Sequence, residues 1–238
     1  MNKVKSVLFS AGILLALVFV FSCSSNDDGG GNSSLSYQGK TYKTVKIGKQ
    51  TWMAENLNYN ASGSRCYDDL EANCAIYGRL YSWATAMGID AKYNKEKWNG
   101  SDVKHQGICP GGWHIPSNDE WDELLIYVDN DTGGDGHNDD DDGTYYSTTA
   151  GKYLKSKSGW NDYYKSNGED KFGFSALPGG DGLSDGFYNV GDGGYWWSST
   201  ESYGGGFAWR RRIYIDEKVS SRSDNYKGNL FSVRCVQD

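Results

Sequence analysis

The densest set of potential metal ligands lies between Asp129 and Asp142, where Asp129, Asp131, Asp135, Asp139 and Asp141 are interleaved with glycine and asparagine. Carboxylates on a glycine-rich turn are hard oxygen donors of the kind Ca²⁺ takes, so a weak calcium site is the most that this run offers. It lacks the distal glutamate of an EF-hand loop, and its lack of apolar residues equally fits a solvated, exposed insertion. A second constellation is Trp209-Arg210-Arg211-Arg212-Ile213-Tyr214. Three successive guanidinium groups suit an anion, but on a strand they alternate. Arg210 and Arg212 then look outward, while Arg211 shares a packing face with Trp209 and Ile213. A guanidinium on a packing face needs a carboxylate, and Glu201 is the expected partner, with Glu120 as the other candidate. A third set is aromatic. Tyr163, Tyr164, Tyr188, Tyr195 and Tyr203 fall in polar, glycine-rich stretches, with Trp197 on a candidate strand, and rings so placed can stack on a sugar.

Catalysis finds less support. The chain has no His-Glu-x-x-His helix, and His105, His114 and His137 are scattered. No enzyme is expected.

The N-terminus sets the expectation that the chain is exported from the cytoplasm. Lys3 and Lys5 precede an apolar run from Val7 to Phe21 that is too short for a bilayer span and ends at Ser22-Cys23. Residues 1–22 therefore read as a secretory signal. Val20-Phe21-Ser22-Cys23 resembles a lipobox, which implies acylation of Cys23 and a lipid bilayer as its partner. Residues 23–34 are Ser/Gly/Asp-rich and read as a flexible tether, leaving 35–238 as one globular domain. Asp27 and Asp28 resemble the surface-export signals of Bacteroidota lipoproteins, so the expected location is the cell envelope, on the outer membrane and facing outward.

Four cysteines remain beyond Cys23, and an even number in an oxidising compartment reads as two disulfides. Three pairings are open to them. Nearness in sequence joins Cys66 to Cys74 and leaves Cys109 for Cys235, while their spacing argues against zinc. Loss of residues 1–22 leaves 22 basic against 31 acidic residues, a net charge of −9 that excludes a nucleic-acid partner.

The elements that would position these residues are partly legible. Thr41–Ile47 and Thr51–Met53 flank Gly48 as a hairpin. Leu80, Trp83, Ala84 and Met87 mark one face of a helix ending near Gly88. Ser117-Asn118-Asp119-Glu120 is a capping box opening a helix with Trp121, Leu124, Leu125 and Val128 inward. A short helical stretch follows around Ala150–Lys157. Phe172–Leu177, Tyr195–Thr200, Phe207–Ile215 and Phe231–Val236 read as strands.

Motifs along the chain carry a family resemblance. Val45-Lys46-Ile47-Gly48-Lys49-Gln50-Thr51-Trp52-Met53-Ala54-Glu55-Asn56-Leu57 is similar to the opening of the Fibrobacter succinogenes major paralogous domain. Cys66-Tyr67, Cys74–Trp83, Cys109–Ser117, Trp196–Glu201 and Ser232–Val236 follow in that family's order. Gly112–Ser117 with Glu120-Trp121 also resembles a helix-opening motif of formylglycine-generating enzymes. The resemblance implies an α+β, C-type-lectin-like fold: two main helices packed on a twisted antiparallel sheet, with the N- and C-terminal strands close together. It implies no catalytic residue. The expected function is a surface-exposed, non-catalytic binding or adhesion module for glycans or another cell-surface partner. The alternative is a structural envelope lipoprotein with no small ligand.

Overall fold

The computed structural model describes residues 33–100, 104–138, 145–162, 167–215 and 221–238. The signal segment, Cys23, most of the tether, Asp139, Asp141, Tyr163 and Tyr164 lie outside the described residues. Alternation builds the first hairpin, since Tyr42 and Thr44 are buried while Thr41 and Lys43 are exposed along β2 (Lys40–Ile47). β2 pairs antiparallel with β3 (Gln50–Met53) across a Gly48-Lys49 turn. Gly48 has φ +61°, and a Cβ there would come within 2.8 Å of the Tyr127 ring, so both backbone and space call for glycine. β1 (Ser33–Tyr37) lies outside β2, while β12 (Val236–Gln237) and β4 (Trp113–His114) extend the other side in the order β1-β2-β3-β12-β4.

A second sheet runs β11 (Ser221–Tyr226), β10 (Phe207–Tyr214), β9 (Gly193–Glu201), β7 (Gly179–Leu183) and β8 (Gly186–Val190). β7 and β9 are parallel through the pair Gly180 and Gly194, and the other neighbours are antiparallel. β5 (His137–Asn138) and β6 (Tyr145–Tyr146) form a small third sheet. The α-helices of the described residues are α1 (Glu71–Tyr77), α2 (Trp83–Met87), α3 (Asn118–Thr132) and α4 (Ala150–Leu154). Only α3 is long, at 15 residues, because Ser117 and Glu120 close its capping box and four apolar residues keep helical phase before Gly133 stops it at φ +67°.

This architecture overturns the α+β, C-type-lectin-like expectation of two main helices on one twisted antiparallel sheet. The described residues are mostly β, with two five-stranded sheets, a small third one and short helices. The physical reasons are local. Leu80 and Tyr81 spend their backbone on bridges to Arg65 and Phe231, so the predicted first helix starts only at Trp83, capped by Ser82. The strand predicted at Phe172–Leu177 is instead a turn, with Gly173 at φ +71° and Ser175 at φ +52°, and only Ala176 bridges to Lys155. β7 had no strand signal, since its three glycines and its aspartate have low β propensity and read as turn.

β9 is buried on both faces. Trp197 packs with Tyr81, Trp83, Phe231, Cys109 and Cys235 in one cluster, and Trp196 packs with Trp52, Trp121, Phe174 and Ile213 in the other. Each indole finds an acceptor, Tyr81 O at 2.7 Å for Trp197 and Asn56 Oδ1 at 2.8 Å for Trp196. The disulfides are Cys66–Cys74 and Cys109–Cys235, the pairing indicated by the sequence.

Candidate functional site

The first turn of α3 is tied to the end of β9, because the Asn118 N–H donates to Thr200 Oγ1 at 3.1 Å. Between these ends and the β10–β11 ribbon lies a cleft of about 690 Å³. It is lined by Asn118, Asp119 and Glu120, by Thr200, Glu201, Ser202 and Tyr203, by Trp209 and Arg222, and by Lys97 and Lys104 among others. Tyr203 is 93% exposed, and Trp209 is half-buried with the Arg222 guanidinium 4.5 Å from its ring. Asn118 is buried, and its Oδ1 has no hydrogen-bond partner among the described residues.

Several of the lining charges are already engaged. Burial works against the Glu201 carboxylate, but the Lys227 ammonium and the N–H groups of Trp98 (2.9 Å) and Asn99 (3.1 Å) outweigh it and hold the pKa below the usual range. Lys227 is fully buried, donates also to Gly205 O at 2.9 Å and Glu96 O at 3.2 Å, and lies 4.3 Å from the Trp83 ring. Behind Glu120, the buried His114 is held at 2.7 Å by Glu120 Oε1 on Nε2 and at 2.7 Å by Asp238 Oδ1 on Nδ1. Burial alone would lower the His114 pKa, yet these two carboxylates raise it. Glu120 Oε2 meanwhile accepts from the Ser117 N–H at 2.9 Å, so one carboxylate serves both the cap and the histidine.

Of the described aromatic residues read as ligand-binding, the structure brings Tyr203 to the cleft. Tyr188 lies on β8, 40% exposed. Tyr195 and Trp197 are corrected to core residues, because β9 is covered on both faces and their side chains pack on Phe231. The expected Arg211–Glu201 ion pair is also corrected. Glu201 stands opposite Ala208, on the Trp197 face of the sheet, and turns to Lys227, whereas Arg211 stands opposite Trp196 and pairs with Asp122 of α3. Its Nη2 donates to Asn118 O at 3.1 Å as well, and burial presses the Arg211 pKa down while Asp122 opposes that. Glu120 is taken by His114. Arg210 and Arg212 are not free surface groups either, since Arg210 lies 4.9 Å from the Tyr195 ring and Arg212 5.5 Å from that of Tyr214.

The described aspartates of the acidic run do not converge. Asp129 is buried and accepts from Tyr145 (2.9 Å), Ser147 (2.8 Å) and Thr149 (3.1 Å) hydroxyls, Asp131 pairs with Lys171 at 2.8 Å, and Asp135 accepts from Thr148. The one group of three potential metal ligands among the described residues is Cys66, Glu71 and Cys74, and there the sulfurs are bonded to each other. Asp122, Asn118 and Lys227 carried no signal in the sequence. Asp122 could have been found only by noticing that it follows the capping box on the helix face toward β10.

The motif residues of the sequence meet inside the fold. Arg234 donates to Asn56 Oδ1 at 2.8 Å and 3.2 Å, and the same oxygen accepts from Trp196. The Fibrobacter succinogenes major domain matches residues 45–237. The chain belongs to that family. No curated protein and no solved structure matches the chain. The motif segments supply interior residues (Trp52, Asn56, Trp83, Trp196, Arg234), while Tyr203 and Trp209 of the cleft lie outside those motifs.

Proposed function

We propose that this chain is a surface-exposed outer-membrane lipoprotein, anchored through acylated Cys23, whose domain is a non-catalytic module that binds glycans. The observation that carries the reading is the pairing of the exposed Tyr203 ring with hydrogen-bonding groups of Asn118, Asp119, Thr200 and Ser202 in one cleft. Sugars are held by that combination, a ring for the apolar face and fixed polar groups for the hydroxyls. Arg222 already stacks on Trp209, so Tyr203 offers the freer face. A non-catalytic role is supported by His114, whose two nitrogens are both held by carboxylates, and by the described cysteines, which are all in disulfides. No cofactor enters this reading. A glycan screen on the soluble chain lacking residues 1–25 tests it. Tyr203→Ala should weaken the best glycan about tenfold, roughly 1.4 kcal/mol, and leave stability unchanged. Binding that survives this substitution at full strength, or a screen without any bound glycan, overturns the proposal.

A further inference from the structure

The two disulfides sit in unlike surroundings. Cys109–Cys235 lies in the apolar cluster with Trp83, Trp197 and Phe231. Cys66–Cys74 instead touches a cation: Arg79 Nη1 is 3.2 Å from Cys66 Sγ and 3.5 Å from Cys74 Sγ. Arg79 is itself buried, its Nε has no partner among the described residues, and its only carboxylate, Glu71 at 3.3 Å, has a side chain 82% exposed. A disulfide is neutral and draws little from a guanidinium, whereas a thiolate draws a great deal. The arginine therefore favours the reduced pair over the oxidised one.

We propose that Cys66–Cys74 is a thiol-exchange site, reducible by a dithiol while Cys109–Cys235 stays closed. In the first step the thiolate of a dithiol attacks Cys74 Sγ, the sulfur farther from Arg79. The S–S bond breaks, a mixed disulfide forms, and Cys66 leaves as a thiolate facing the guanidinium. The second thiol of the reductant then displaces Cys74, so two electrons pass to the protein and the reductant ends as a disulfide. The cysteines are buried, and Cys74 is carried by the short helix α1. α1 has only seven residues, and Leu70 and Ile76 around it are each 57% exposed.

Titration of the whole folded protein with dithiothreitol, followed by alkylation and peptide mapping, tests this. Cys66 and Cys74 should open at a reductant concentration at least about tenfold below that for Cys109 and Cys235. Arg79→Gln should move the first midpoint at least about threefold toward higher reductant, and Arg79→Lys should move it less. Simultaneous opening of both bonds, or a first midpoint indifferent to Arg79→Gln, overturns the proposal. If Arg79→Gln does not fold, the selectively reduced wild type decides. Its thiolate absorbance should titrate at least about one pH unit below the free-cysteine value of about 8.5, and titration at or above that value overturns the proposal.

Discussion

The cores on either side of β9 are fastened by different means. On the Trp197 side the Cys109–Cys235 bond joins the segment before β4 to the segment before β12, and Lys227 is held by Glu201 and two carbonyls. On the Trp196 side no covalent link is present among the described residues, and two buried arginines do the tying. Arg211 crosses from β10 to Asp122 of α3, while Arg234 pairs with no carboxylate among the described residues and binds Asn56 Oδ1 with the carbonyls of Phe174 and Ser175. A guanidinium with several donors in a plane can satisfy many acceptors at once, so it knits loops that have no ladder of their own. The Phe172–Leu177 turn is such a loop. Its positive-φ residues leave carbonyls pointing inward, and Arg234 collects them.

If the Trp197 side depends on its covalent bond, Cys109→Ala with Cys235→Ala should cost the most, about 5 kcal/mol in urea unfolding, because the bond closes a separation of 126 residues. A loss below about 1 kcal/mol would mean that packing alone holds this core. Next comes Arg234→Ala, with an expected loss of about 4 kcal/mol, since it strands the Phe174 and Ser175 carbonyls and leaves Asn56 Oδ1 with Trp196 alone. Equal stability of variant and wild type would erase the contrast between the two cores. Arg211→Ala should cost about 3 kcal/mol by removing the ion-pair partner of Asp122, against about 1 kcal/mol for Arg210→Ala and about 0.5 kcal/mol for Arg212→Ala, which lose contacts to the Tyr195 and Tyr214 rings. Coincident midpoints of the three would show that the strand faces are misassigned.

The smallest effect is on pH. The folded His114 pKa is raised, so its contribution is complete below the unfolded value of about 6.5 and is lost as pH rises through the folded pKa. Wild type should therefore lose stability across that window, and His114→Gln should show a flatter profile there. Parallel profiles for the two would remove the histidine clamp from the account.

What was legible in the sequence follows from where the physics is local. The capping box, the Trp121–Val128 stripe and the Gly48 turn are decided by neighbours within a few residues, and so was the nearer disulfide. Strands β9 and β10 were legible as Tyr195–Thr200 and Phe207–Ile215, but the sheet arrangement was not, because β4 and β12 are two-residue strands whose pairing with each other and with β3 joins segments far apart along the chain, and the glycine-rich β7 reads as turn. The cleft was legible in one residue. Tyr203 stands in a polar turn, but Asn118 and Glu120 reach the same space only after α3 is set against β9, a juxtaposition no spacing encodes. The partner of Arg211 failed for a related reason: alternation gave its face, but the carboxylate on that face belongs to a helix rather than to the adjoining turn.

The Cys109–Cys235 bond also changes what a protease can do. It turns everything from residue 109 to residue 235 into a closed covalent ring, and the ring takes in α3, the acidic run and the whole second sheet. A cut at any one peptide bond within it opens the ring without releasing a fragment. The nicked protein keeps its mass and its place, and only under a reductant strong enough to open this second bond would the pieces part.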